Sequence, residues 1–451
     1  MLRRALAAAA VLCALQASAA DPDVKFEKYR LKNGLTVILS EDHRLPQVSV
    51  NVWYHVGAAN QAPGRSGFAH LFEHMMFSGS KHVPNVDEII EAIGGSTPNG
   101  STDFNRTNYF ETVPSNELPT ALWLESDRMG FLLPTLDEQK LKIQRDVVSN
   151  EKRQRVDNVP YGPAQQRLCD LLYPAPHPYY ECVIGVIAEI QGASLDDIRA
   201  FFRQYYGPNN ASLVLVGDFD PAAAKPLVEK YFGPVPRGPE VKRPDVPQPL
   251  LQTVLKETLD DKLAQLPRFR LVWNGVRPFD DDEPAGDVLS EVLAGGKTSR
   301  LYQSLILDKQ VASSVDANNP ALGLGGWIQI GATARPGHSA EELRALLQQS
   351  IDAVKQDGLT AAEVERAKRK IIASQLRSLE RASSRADLLN AYEMWLGDPG
   401  FLPRDLARYR AVTPQAVQAF ARKYLADGRR IELTIVPAAQ RTAGAQPRGR
   451  P

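Results

Sequence analysis

A long-range internal repeat constrains this chain more than any local pattern does. Ser194–Tyr206 (Ser-Leu-Asp-Asp-Ile-Arg-Ala-Phe-Phe-Arg-Gln-Tyr-Tyr) matches Thr413–Leu425 (Thr-Pro-Gln-Ala-Val-Gln-Ala-Phe-Ala-Arg-Lys-Tyr-Leu) at an offset of 219 residues. Both segments open on a hydroxyl residue suited to cap a helix and share an Ala-Phe-x-Arg-x-Tyr core. A β-rich run follows each copy, Ala211–Val216 and Ile431–Val436. The same offset carries Gly67 onto Gly286 and brings Trp53 within one residue of Trp273. Self-similarity at a fixed offset marks a duplicated structural unit. The expected fold class is therefore α+β: two homologous domains, each a mainly antiparallel sheet covered by helices.

The boundaries follow from composition. Arg3 and Arg4 precede the apolar run Ala5–Leu15, and small residues Ala17 to Ala20 precede polar Asp21, so 1–20 reads as a signal peptide. Proline-rich, polar Arg237–Leu250 reads as a semi-rigid linker over 237–250. The domains are then expected at 21–236 and 251–439, with a disordered tail at 440–451. A signal peptide implies export, so a periplasmic location is expected. No later segment is long and apolar enough to span a bilayer. Basic and acidic residues both number 53, so no net field points to nucleic acid. The exported chain keeps Cys169 and Cys182, which can pair or remain free thiols; the sequence leaves both open.

Locally, Lys32-Asn33-Gly34 between Phe26–Leu31 and Leu35–Ser40 predicts a hairpin. Val48–His55 predicts a third strand, Ser96–Val113 a strand or hairpin, and Asp87–Ile93 a short helix closed by Gly94-Gly95. Helices are expected over Asn116–Phe131 and from Leu136 to about Val156.

One motif carries chemistry. In Gly67-Phe-Ala-His-Leu-Phe-Glu-His-Met-Met-Phe77, His70 and His74 lie four residues apart, one helical turn along a single face. Two imidazoles so placed can share a zinc ion. Glu73, on the adjoining face, can reach a water on that metal. The order His-x-x-Glu-His is the inverted zincin motif. At the repeat offset these residues become Leu289, Val292 and Leu293, none a ligand, so metal chemistry is expected in the first half only.

Together these stretches resemble the pitrilysin/insulinase family of zinc peptidases, which includes mitochondrial processing peptidase. The resemblance rests on Phe68–Phe77, Gly94-Gly95 with Asn99 and Thr102, Arg145–Glu151, and Tyr206–Gly217. It implies a zinc metalloendopeptidase acting on peptides or unfolded segments, with Zn2+ held by His70, His74 and Glu151 and Glu73 as the catalytic base. Glu151 stands 77 residues after His74; spacing alone does not single it out from Glu138 and other nearby acids. Asn99 and Thr102 would belong to an edge strand that binds substrate, although Asn99 before Gly100 reads equally well as a turn residue. The chain departs from the family in two respects. Gln144 replaces an additional acid, and Ile306 and Ser313 stand where an Arg–Tyr pair binds the substrate carbonyl. The resemblance therefore implies a heterodimer in which a paralogous subunit without the zinc motif supplies that pair. The alternatives are a homodimeric peptidase and a non-catalytic structural or peptide-binding member of the same fold.

Overall fold

The computed structural model describes residues 23–438; the expected leader at 1–20 and tail at 440–451 lie outside the described residues. A first sheet is built from β1 (Glu27–Arg30), β2 (Thr36–Glu41), β3 (Gln47–Tyr54), β4 (Asn99–Thr102), β5 (Thr107–Pro114) and β6 (Ala211–Gly217). Its strands run in the order β1-β2-β6-β3-β5-β4. A second sheet holds β7 (Val254–Asp261), β8 (Arg268–Asn274), β9 (Ala312–Asn318), β10 (Trp327–Ala334) and β11 (Arg430–Pro437) in the order β7-β11-β8-β10-β9. Only β2 with β6 and β7 with β11 pair in parallel; the other pairs are antiparallel. Strand for strand, β2-β6-β3-β5-β4 and β7-β11-β8-β10-β9 are the same topology, with β1 an addition to the first sheet. The protein is a two-domain α+β fold.

The helices of the first half are α1 (Phe68–Met75), α2 (Val86–Ala92), α3 (Leu118–Phe131), α4 (Glu138–Lys152), α5 (Gly162–Leu172), α6 (Leu195–Tyr205) and α7 (Pro221–Phe232), with a short turn of helix before α6. The second half holds α8 (Glu283–Ala294), α9 (Ala340–Asp357), α10 (Ala361–Ser378), α11 (Ala382–Leu396), α12 (Leu402–Ala411) and α13 (Pro414–Tyr424). The repeated segments are α6 and α13. Ser194 Oγ accepts from the Asp197 amide at 3.1 Å and Thr413 Oγ1 from the Ala416 amide at 3.1 Å, so both copies carry the same N-terminal cap.

Two local expectations are modified. The charged helix expected to reach about Val156 ends at Lys152 and widens into a π-helical turn over Arg153–Asp157, where the Asn158 amide bonds to the Arg153 carbonyl at 2.7 Å. The first hairpin stops pairing at Arg30–Thr36, so its connection is longer than an Asn-Gly turn alone. Gly34 does supply a positive φ of 102°. Asn33 turns inward instead, donating to the carbonyls of Phe232 (2.7 Å) and Val235 (2.9 Å).

The alternation along β3 sets the packing. Val48, Val50, Val52 and Tyr54 face a core shared with α1, α3, α6 and α7. Ser49, Asn51 and Trp53 face the other way, yet all are buried, because α11 from the second half covers that face. Trp53 Nε1 donates to Asp387 at 3.1 Å, Asn390 donates to the Asn51 carbonyl at 3.2 Å, and Ser212 donates to Asn390 at 2.6 Å. Ala382, Ala386 and Leu389 complete the contact against Ile38, Val214 and Val216. Reciprocally, Ala164, Leu168, Cys169 and Leu172 of α5 pack on Val272, Ile431, Leu433 and Ile435 of the second sheet. Helices α5 and α11 begin one repeat apart, so each half lends the equivalent helix to the other. Cys169 is disulfide-bonded to Cys182, with Cα atoms 5.5 Å apart, tying the chain beyond α5 back to that helix.

Two outcomes follow from the exchange. Leu389→Ala empties a fully buried site and should cost about 2–5 kcal/mol, and calorimetry should show both halves melting in one transition rather than two. The second concerns Asp42, which Arg44 and then Arg385 of α11 hold well below the usual carboxylate range. An acid with a lowered folded pKa contributes stability above its unfolded value, near 4, and loses it as pH falls. The melting-temperature gap between the parent and Asp42→Asn should therefore narrow as pH drops from about 5 to 3.

Candidate metal centre

The helix that carries the motif is short and held by its apolar side. Phe68, Leu71, Phe72 and Met75 recur at helical spacing and are buried in the first core. Gly67 precedes the helix with φ of 79°, and a Cβ there would lie 2.8 Å from the Ile184 carbonyl, so only glycine fits. Gln61 Oε1 accepts from the Ala69 amide at 2.8 Å, satisfying a first-turn donor. With that face fixed, His70 and His74 project from the opposite one, toward α4. Asp137 caps α4 through the Lys140 amide at 2.8 Å, and the helix delivers Glu151.

The three side chains converge. Nε2 of His70 and Nε2 of His74 are 3.3 Å apart, and Glu151 Oε2 stands 3.1 Å from His74 and 3.6 Å from His70. Ligands about 2.0–2.1 Å from a tetrahedral zinc ion are themselves about 3.3 Å apart, so this triangle has the size of a zinc site. Among the described residues no other cluster of His, Cys, Asp or Glu reaches metal-site proximity. Burial, and then neighbouring His74, pushes the His70 imidazole down to about 4, which keeps it neutral and able to donate a lone pair. A hydrogen bond from His74 holds the Glu151 carboxyl below its ordinary range, so it stays ionised. The donor set therefore fits zinc.

Glu73 sits beside this triangle, 8% exposed, and burial raises its pKa while Thr102 opposes the rise. Thr102 Oγ1 donates to Glu73 Oε2 at 2.5 Å. Thr102 and Asn99 are the ends of β4, the edge strand of the first sheet, whose outer side has no strand partner among the described residues. The structure thus brings His70, Glu73, His74, Glu151 and Thr102 together. Asn99 is exposed, lies in the strand opposite Phe110 rather than in a turn, and its side chain accepts from the Gly100 amide at 2.8 Å.

The departures noted in the sequence have structural counterparts. Gln144 donates to Ser78 at 3.2 Å. Ile306 is buried, and Ser313 donates to the carbonyls of Thr333 and Ala334 at 3.2 and 3.0 Å. Arg385 and Tyr392, which have the spacing of an Arg–Tyr pair, are engaged elsewhere: Arg385 with Asp42, and Tyr392 with Asp405 at 2.9 Å. Leu289, Val292 and Leu293 are buried in α8. Sequence reasoning missed Arg155, whose guanidinium meets Glu151 Oε1 at 2.7 Å. Its i,i+4 spacing from Glu151 was the available signal.

Comparison with known proteins agrees with this geometry. The family model described as Insulinase (Peptidase family M16) matches residues 36–174, and the one described as Peptidase M16 inactive domain matches 192–371. The zinc protease PqqE of Helicobacter pylori is 31% identical over 82% of this chain and 83% of its own length. The Bacillus subtilis protein named as the uncharacterized zinc protease YmxG is 26% identical over 88% of this chain and 95% of its own. A crystal structure of a protease from Helicobacter pylori superposes with a TM-score of 0.86 at 28% identity, over 92% of this chain and all 100% of that one. Pitrilysin, at 19% identity and a TM-score of 0.73 over 93% of this chain and 45% of its own, shares the fold.

Glu151→Ala should weaken zinc binding by more than the roughly 10–100-fold that loss of an outer-shell partner costs, whereas Asn99→Ala should leave it unchanged. Calorimetric titration of metal-free protein with zinc measures both.

Proposed function

The chain belongs to the insulinase family of peptidases, M16, and from that premise we propose that it is a zinc-dependent endopeptidase of peptides or unfolded segments. The observation that carries the reading is the His70–His74–Glu151 triangle with a buried carboxylate, Glu73, on the adjoining face of the same helix. Three protein ligands leave a coordination position open, the arrangement of catalytic rather than structural sites. Zinc bound there would supply Lewis acidity and lower the pKa of a water to about 7. Glu73 takes the proton of the attacking water and passes it to the amine nitrogen as the peptide bond breaks. The unpaired edge of β4 aligns an extended peptide by backbone hydrogen bonds, which read shape before sequence.

The site is incomplete in one respect. Ile306 and Ser313 cannot donate to a substrate oxyanion as arginine and tyrosine do. Loss of one such donor costs about 10²–10³ in rate. We therefore assign this chain the role of catalytic subunit in a two-subunit enzyme, its partner a paralogous chain that lacks the zinc motif and carries the Arg–Tyr pair. A periplasmic location fits the leader read at 1–20 and the Cys169–Cys182 disulfide. It fits also a relative of known structure, described as the periplasmic protease PqqL of Escherichia coli. Among the described residues no helix is long and apolar enough to cross a membrane.

Glu73→Gln should keep zinc bound yet reduce peptide cleavage by at least about 10²-fold; undiminished turnover would remove Glu73 as the base. The mass of the complex purified from its host should exceed that of one chain and include a second, different polypeptide. A homodimer with full peptidase activity would refute the two-subunit assignment.

A further inference from the structure

We infer that Thr102 is a positioning residue for Glu73, its hydroxyl fixing one carboxylate oxygen of the base from the strand on which a peptide lies. The inference rests on Glu73 being the base.

Side chains alternate across β4, so Gly100 and Thr102 share the face turned toward α1. Gly100 makes room: a Cβ there would stand 3.1 Å from both Cγ and Oε1 of Glu73. Thr102 then holds the other oxygen, donating to Oε2 at 2.5 Å. Behind it, Thr107 is the cross-strand partner, fully buried, with its Oγ1 at 3.3 Å from Thr102 Oγ1. The Thr107 hydroxyl donates to the Val56 carbonyl at 2.9 Å, so its own proton is committed. It can only accept from Thr102. The Thr102 proton is accordingly directed at Glu73, the nearer acceptor.

This arrangement divides the two oxygens of the base. While Glu73 is a carboxylate, Thr102 donates to Oε2. That leaves Oε1, beside Gly100, as the oxygen that takes the proton from water and hands it to the leaving amine, while Oε2 keeps its partner; an unpaired buried polar group would be costly. A threonine chosen for β propensity alone is the competing explanation, since branched residues suit strands. Valine retains that propensity and removes the hydroxyl; serine does the reverse.

The test uses Thr102→Val and Thr102→Ser in the assembly purified from its host, with crystal structures of the zinc-loaded parent and valine variant. Thr102→Val should lower kcat by about 10–100-fold, the effect of a small misplacement, with KM and zinc affinity unchanged. Thr102→Ser should recover most of the loss. In the crystal structure of Thr102→Val the Glu73 carboxylate should leave its parental position. A carboxylate that stays in place, an unchanged kcat, or a loss confined to KM or zinc affinity would each overturn the inference. Glu73→Gln run in parallel separates the two claims: if it turns over peptide at the parental rate the base assignment fails, and the crystallographic comparison still decides what Thr102 holds.

Discussion

Each sheet in this protein has two faces, and in each half one of them is covered by a helix lent by the other half. The rest of the structure depends on this exchange of α5 and α11. A half on its own would expose either Ile38, Val214 and Val216 or Val272, Ile431, Leu433 and Ile435. Burying each such side chain is worth about 1.5–3 kcal/mol, a large share of a typical domain's net stability. The polar residues of β3 reinforce the point. Asn51 and Trp53 are buried against Asp387 and Asn390, so separation would also break a hydrogen-bond network.

That constraint decides where chemistry can sit. With the outer face of β3 and β6 sealed by α11 and the inner face filled by the core, the sheet edges are left open, and of the first sheet's two edges, β1 and β4, it is β4 that packs against α1. The His70–His74–Glu151 triangle lies beside that edge, and its helix is held from below. Eight residues are too few for a helix stable on its own, so α1 owes its form to packing. Beneath it, Arg128 of α3 is buried in an ion pair with Glu125 and stacks over Phe77 and Tyr109, 5.0 and 4.7 Å from their centroids. Phe77 closely follows α1, and Tyr109 lies on β5 opposite Gly100. One guanidinium thus ties the motif helix and the hairpin bearing Thr102 to the same core.

What the sequence reveals divides by distance along the chain. Local signals were readable: the caps Ser194 and Thr413, the apolar stripe of α1, and the four-residue spacing of the histidines. The repeat was readable because two copies of one packing problem need the same residues at the same places. Contacts between distant segments were not. Alternation in β3 reads as one buried and one wet face, yet Ser49, Asn51 and Trp53 are covered by a helix more than 300 residues away. The Thr102–Glu73 bond joins residues 29 apart with helix α2 between them, and nothing in either segment announces it. Glu151 needed a family resemblance for the same reason: its helix is recognisable, but which of its carboxylates turns toward α1 is a tertiary fact.

The fate of the second motif shows what the duplication is for. In α8 the places of His70, Glu73 and His74 hold Leu289, Val292 and Leu293, all buried. Exchanging polar groups for apolar ones there removes any demand for a cation and adds three side chains to the second core. Nothing is lost to the first half by this change, because its need from the second is α11 and not a second metal. The topology of the repeat is therefore independent of its chemistry: the α5–α11 exchange needs the fold of both halves, whereas the His70–His74–Glu151 triangle needs only the half that carries α1 and α4.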